Sequence, residues 1–206
     1  LAGSAIATTH CNILIGAAAG MATTGANNVA VGAAALQCNV GGACNIAVGN
    51  LALHCATTGA SNIGIGFTAL GGSATSGNDN IAIGRLAADA LLAGAENIAI
   101  GPLAFSGSEA GTFNIALGYQ AMGNSNTSGS HNVALGWKAA DALEGGTCNI
   151  AIGVNAAGAT VDGISNIAIG REASAALAGN IGCNIGIGYR ALYASCLLYT
   201  SDAADE

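Results

Sequence analysis

The sequence predicts an all-β fold, a parallel β-solenoid of about eleven stacked coils of 16–18 residues each. Three observations predict it. One unit recurs: Asn, then Ile or Val, then a mostly small residue, then Ile, Val or Leu, then Gly. Its Asn stands at Asn12, Asn28, Asn45, Asn62, Asn80, Asn97, Asn114, Asn132, Asn149, Asn166 and Asn184. Gly follows four residues later in every copy, from Gly16 to Gly188, and Ala three beyond that, from Ala19 to Ala191. Agreement of all eleven copies at three positions is a repeat and not a bias of composition, and repeats of this kind mark solenoids.

The spacing supplies the second observation. Successive Asn residues lie 16, 17, 17, 18, 17, 17, 18, 17, 17 and 18 apart, and from Asn28 onward the cycle 17, 17, 18 makes a higher repeat of 52 residues. Thr75-Ser76-Gly77 before Asn80 returns as Thr127-Ser128-Gly129 before Asn132, which points to duplication of triplets of coils.

The third observation is the alternation inside the unit. Large, small, large over three residues is the period of a strand with one buried face. On this pattern Ile98 and Ile100 are expected to point inward and Ala99 outward. Gly101 and its equivalents end the strand where the backbone bends or takes positive φ. The recurring Asn has two structural roles open to it, a turn that tolerates left-handed geometry or a ladder of side-chain amides bonded to the copies above and below.

Stacking is required energetically. Each coil buries two large aliphatics at about 1.5–3 kcal/mol each, while ordering its residues costs roughly 1–2 kcal/mol apiece. One coil cannot fold alone, so neighbours must supply the rest. Eleven coils at a strand spacing of about 4.8 Å make a rod on the order of 50 Å long. A stripe of Ala and Gly at the outward position, Ala30 to Gly186, calls for close approach of another surface. That surface is either the opposite wall of the same coil or a neighbouring chain.

Composition narrows the function. With 33 Gly, one Pro and 7% charged residues, no apolar run reaches the ~18 residues of a membrane span, so no membrane insertion is expected. Four basic residues against eleven acidic leave no basic patch and argue against nucleic-acid binding. The chain opens at Leu1 in what reads as an earlier coil, so residues 1–195 are expected to be a segment of a longer fibre. Residues 196–206, from Cys196 to Glu206, resemble a translated sequencing-library adapter and are read as a non-native tail.

No Ser, His and acid form a catalytic constellation, and His10, His54 and His131 share no repeat position. No Cys-x-x-Cys pair supports a zinc site, so no enzyme activity, metal or cofactor is expected. Gly186 to Ala191 and Gly64 to Ala69 match a dinucleotide-loop pattern only because Gly fills the small slot of the repeat. Cys38 and Cys55 fall ten residues after the Asn in adjacent coils and are candidates for a disulfide. Cys11 and Cys44 lie two coils apart, as do Cys148 and Cys183, too far for a bond, and these four are expected to be small buried residues.

The position after the Gly varies most. Phe67, Tyr119, Trp137 and Tyr189 stand there among Ala, Arg, Pro and Val, so the column is exposed or at a rim. Tyr119 and Trp137 are in adjacent coils with Gln120 and Lys138 beside them. They form either a candidate sugar-stacking surface or ordinary packing against a neighbour.

Asn-Ile-Ala-Ile-Gly-x-x-Ala-Leu after Ser/Thr/Gly-rich loops resembles two related groups across residues 1–195. One is the head repeat of trimeric autotransporter adhesins of the YadA type; the other is the shaft repeat of bacteriophage tail fibres. The resemblance implies a homotrimer, placed extracellularly on a virion or a bacterial cell surface, that attaches to a glycan or protein receptor. The adhesin repeat is usually shorter, which favours the tail-fibre version. The competing class is a free-standing ice-binding or other ligand-binding solenoid; the scattered Thr residues count against ice binding.

Overall fold

The computed structural model describes residues 11–72, 74–174 and 182–193. It is an all-β parallel solenoid. Eleven three-residue strands, β1 (Ile13–Ile15), β2 (Val29–Val31), β3 (Ile46–Val48), β4 (Ile63–Ile65), β5 (Ile81–Ile83), β6 (Ile98–Ile100), β7 (Ile115–Leu117), β8 (Val133–Leu135), β9 (Ile150–Ile152), β10 (Ile167–Ile169) and β11 (Ile185–Ile187), form one sheet in chain order. Every pair is parallel and in repeat register, so that Ile98 lies beside Ile115 and Ala99 beside Ala116. The tail at 196–206 and His10 lie outside the described residues.

Hydrogen bonds between coils continue beyond the strands. Leu36 N–H donates to Ala52 O (3.0 Å), and Ala34 N–H donates back to Ala17 O (2.8 Å). The turns are made by left-handed residues at three fixed places, one before the Asn and six and eight after it. Glu96, Leu103 and Phe105 of the sixth coil have φ of 58°, 57° and 55°. Alternating kinks of this kind fold a short loop into a flattened coil without breaking its ladder.

The strands face the other way from the expectation. Ala99 is 1% exposed, and Ala30, Ala47, Ala82, Ala116 and Ala134 are equally enclosed, whereas Ile98 and Ile100 lie on the outside, half-buried. The surface that approaches the Ala/Gly stripe is the opposite wall of the solenoid itself, from the same coil and the one before it. A Cβ on Gly64 would stand 2.9 Å from Ala69 O and 3.2 Å from Leu53 Cγ. The coil is too thin to hold two Ile per strand between its walls.

The interior instead takes one large apolar side chain per coil. Leu36, Leu53, Leu70, Phe105 and Met122, each eight residues after its Asn, are fully buried. Where that position is Ala88 or Ala140, Leu91 or Leu143 three residues on fills the space. In the first coil the eighth position is Gly20 and the strand centre is Leu14, whose Cδ2 lies 2.5 Å from where a Gly20 Cβ would be. The ninth coil departs from the rule: Ala157 and Thr160 occupy both places, and Thr160 Oγ1 is buried with no hydrogen-bond partner, as is the Oγ of Ser174 at the eighth position of the tenth coil. Thr160→Leu copies the Leu143 solution. It removes an unsatisfied hydroxyl, worth about 1–3 kcal/mol, and adds buried methylene at about 0.8 kcal/mol per group. The variant is expected to slow hydrogen exchange of the β9 and β10 amides by one to two orders of magnitude; unchanged exchange would show the site already filled.

Asn residues close the interior along one edge. Asn97 accepts at Oδ1 from the backbone N–H of Asn114 (3.0 Å), and its Nδ2 donates to Gly111 O (2.7 Å) and Asn80 Oδ1 (3.0 Å). The same pattern ties Asn28 to Asn12 and Asn45 to Asn28, and continues through Asn62, Asn80, Asn114, Asn132 and Asn149 to Asn166 and Asn184. The left-handed residue is the one before each Asn, not the Asn itself. Gly111 belongs to a second glycine column, three residues before the Asn. Its members are packed so closely that a Cβ on Gly94 would stand 2.3 Å from Gly111 O.

Candidate functional site

The strands leave one wall of the rod covered with aliphatic side chains. At the first and third positions of all eleven strands stand only Ile, Val or Leu, and none is buried. In β11, the last strand of the described sheet, Ile185 and Ile187 are 64% and 65% exposed. A parallel sheet is ordinarily covered on both faces, and an exposed apolar array of this regularity marks an interaction surface or an aggregation hazard. Its side chains repeat at the strand spacing, so its geometric complement is a surface with the same spacing.

The column after the Gly flanks this wall. Phe67, Tyr119, Trp137 and Tyr189 are all exposed there. Lys138 Nζ sits 5.1 Å from the centre of the Trp137 ring, in cation–π range. At the far end Arg190 lies over both Tyr189 and Tyr193, and its Nε donates to Glu172 Oε2 at 2.6 Å. That hydrogen bond and the Arg190 charge hold the half-buried Glu172 carboxyl below its ordinary range. On the other flank, one residue before the Asn, Phe113 and His131 stack with ring centres 4.9 Å apart. The seventh and eighth coils therefore carry aromatic rings on both sides of the aliphatic wall.

Cys11, Cys44, Cys148 and Cys183 occupy that same left-handed column before the Asn and are exposed, not buried as expected. A residue there follows a kink that throws its side chain off the core, which periodicity alone does not reveal. Cys38 and Cys55 are free thiols in adjacent coils. His54 joins them. Its Nδ1 is 3.0 Å from Cys55 Sγ and its Nε2 is 2.8 Å from Gln37 Oε1. The sequence carried a sign of this cluster: Gln37-Cys38 and His54-Cys55 are 17 residues apart, one coil, and so stack.

Gly64 and Gly186 are strand centres in β4 and β11, with no helix beside them to receive a dinucleotide phosphate. Among the described residues no group of three His, Cys, Asp or Glu could hold a metal ion, and no helix is long and apolar enough to cross a membrane. No protein-family model, curated protein or solved structure matches the chain.

Proposed function

We propose that the chain is a segment of a homotrimeric fibre that serves attachment rather than catalysis, extracellular on a virion or bacterial surface. The observation that carries this reading is the aliphatic wall. A second copy of the same rod presents aliphatic side chains at the same spacing, and three copies can bury all three walls around one axis. The resemblance to trimeric adhesin heads and tail-fibre shafts supports three copies over two. Tyr119 and Trp137, exposed beside that wall with Lys138 next to them, are the proposed contact for a cell-surface glycan or protein receptor.

The test is the solution mass of residues 1–195 by light scattering with reductant present. Three times the chain's mass is expected, together with retention on glycan-bearing cells that Tyr119→Ala/Trp137→Ala abolishes at unchanged mass. A folded monomer would overturn the fibre reading and move weight to a free-standing solenoid. A trimer whose retention survives the double variant would place the receptor contact elsewhere.

A further inference from the structure

We propose that Gln37, Cys38, His54 and Cys55 form a thiol–disulfide exchange site that takes a small external disulfide and closes a covalent staple between the second and third coils. Gln37 Oε1 is an acceptor, so His54 Nε2 carries the ring proton and donates to it at 2.8 Å. Nδ1 is then the free lone pair, and it accepts from the Cys55 thiol at 3.0 Å. The arrangement is a thiol with a general base beside it and a third group that fixes the base's tautomer, the geometry that activates a nucleophile.

Cys38 completes the site. It occupies the same repeat position as Cys55 one coil away, and its backbone N–H donates to His54 O at 3.0 Å. Neighbouring coils at a strand spacing of about 4.8 Å put the two Cα atoms within the span of roughly 4.4–6.8 Å that a disulfide bridges. Burial, and then the Cys38 sulfur itself, push the Cys55 thiol up from its ordinary value. Cys55 thus rests as the thiol that donates to His54, while the exposed Cys38 meets the reagent. The cluster follows the buried Leu36 and Leu53 on the wall across from the strands, so covering the aliphatic wall leaves it open.

The steps balance. Cys38 thiolate attacks one sulfur of the external disulfide; that S–S bond breaks and the first small thiolate leaves, taking the proton that Cys38 gave up. His54 Nδ1 then takes the Cys55 proton as Cys55 Sγ attacks the Cys38 sulfur. The mixed disulfide breaks, and the second small thiolate leaves with the proton from His54. One external disulfide is reduced to two thiols, and two protein thiols are oxidised to one disulfide.

Oxidised glutathione is the probe, added to the reduced full chain, with peptide mass mapping over time. A Cys38–Cys55 bond is expected to form ahead of any other protein disulfide. His54→Asn is expected to slow closure at least tenfold and to accumulate glutathione on Cys38, with circular dichroism unchanged. Cys55→Ser should leave Cys38 permanently glutathionylated. Closure of His54→Asn at the unaltered rate, or glutathione spread evenly over Cys11, Cys44, Cys148 and Cys183 with no Cys38–Cys55 bond, would overturn the proposal.

Discussion

Asn97→Ala is expected to unravel the middle of the rod. The substitution leaves the buried backbone N–H of Asn114 without Asn97 Oδ1 and the Gly111 carbonyl without its amide donor. Each buried group left unpaired costs about 1–3 kcal/mol, and the cavity left by the missing side chain adds to that. A loss of about 3–6 kcal/mol follows from these two contributions together. In a solenoid that loss falls on one interface between neighbours, because each coil touches only the next. Hydrogen exchange should therefore accelerate most at β6 and β7, with the outer coils less affected, and the denaturant midpoint should fall. Asn28→Ala should instead move the fastest exchange to β2 and β3, since Asn28 Oδ1 accepts from the Asn45 N–H and its Nδ2 donates to Gly42 O. Equal protection in wild type and Asn97→Ala would mean that the ladder is dispensable and that strand pairing alone holds the stack.

The number, length and register of the strands were legible from the Asn spacing, because a coil's contour must return each Asn to its predecessor. Every strand begins one residue after its Asn, from Ile13 to Ile185. Which face was buried was not legible from the strand itself. Alternation gives a period of two but no sign; the sign is set by the room behind the strand, and that depends on the other wall. The informative residues were outside the motif. Leu36, Leu53 and Leu70 already fill the interior, and the trade of Leu91 against Ala88 shows a space for one large side chain and no more. Gly94 and Gly111 carried a similar signal, for a column of glycines three residues before the Asn means backbones in contact. The exposed Cys column was hidden for a related reason: Cys11 and Cys148 sit at left-handed kinks, where a residue's direction departs from the alternation around it. His54 gave no sign in isolation, and only its place one coil above Gln37 brings it to two partners at once.

Two aspartate substitutions one residue apart separate the inside of the rod from its interface. Ala99→Asp places a carboxylate where 1% of the residue meets solvent and no donor awaits it. Burying such a group without a partner costs several kcal/mol or forces it to take up a proton, so this variant is expected to lose its β signal at neutral pH in any oligomeric state. Ile98 points outward, and an aspartate there reaches water as long as the wall is uncovered. Ile63→Asp, Ile98→Asp and Val133→Asp together space three charges two coils apart, which avoids setting like charges in adjacent strands. In a trimer they would bring nine carboxylates against apolar neighbours, so the assembly should fall to monomers while circular dichroism keeps its β signal. Light scattering and circular dichroism on the two proteins give opposite patterns if the assignment is right. An Ala99→Asp protein that folds normally would return the Ile residues to the core. A triple variant that stays trimeric would leave the aliphatic wall outside the interface, and the three chains would have to meet through the loops on the opposite wall.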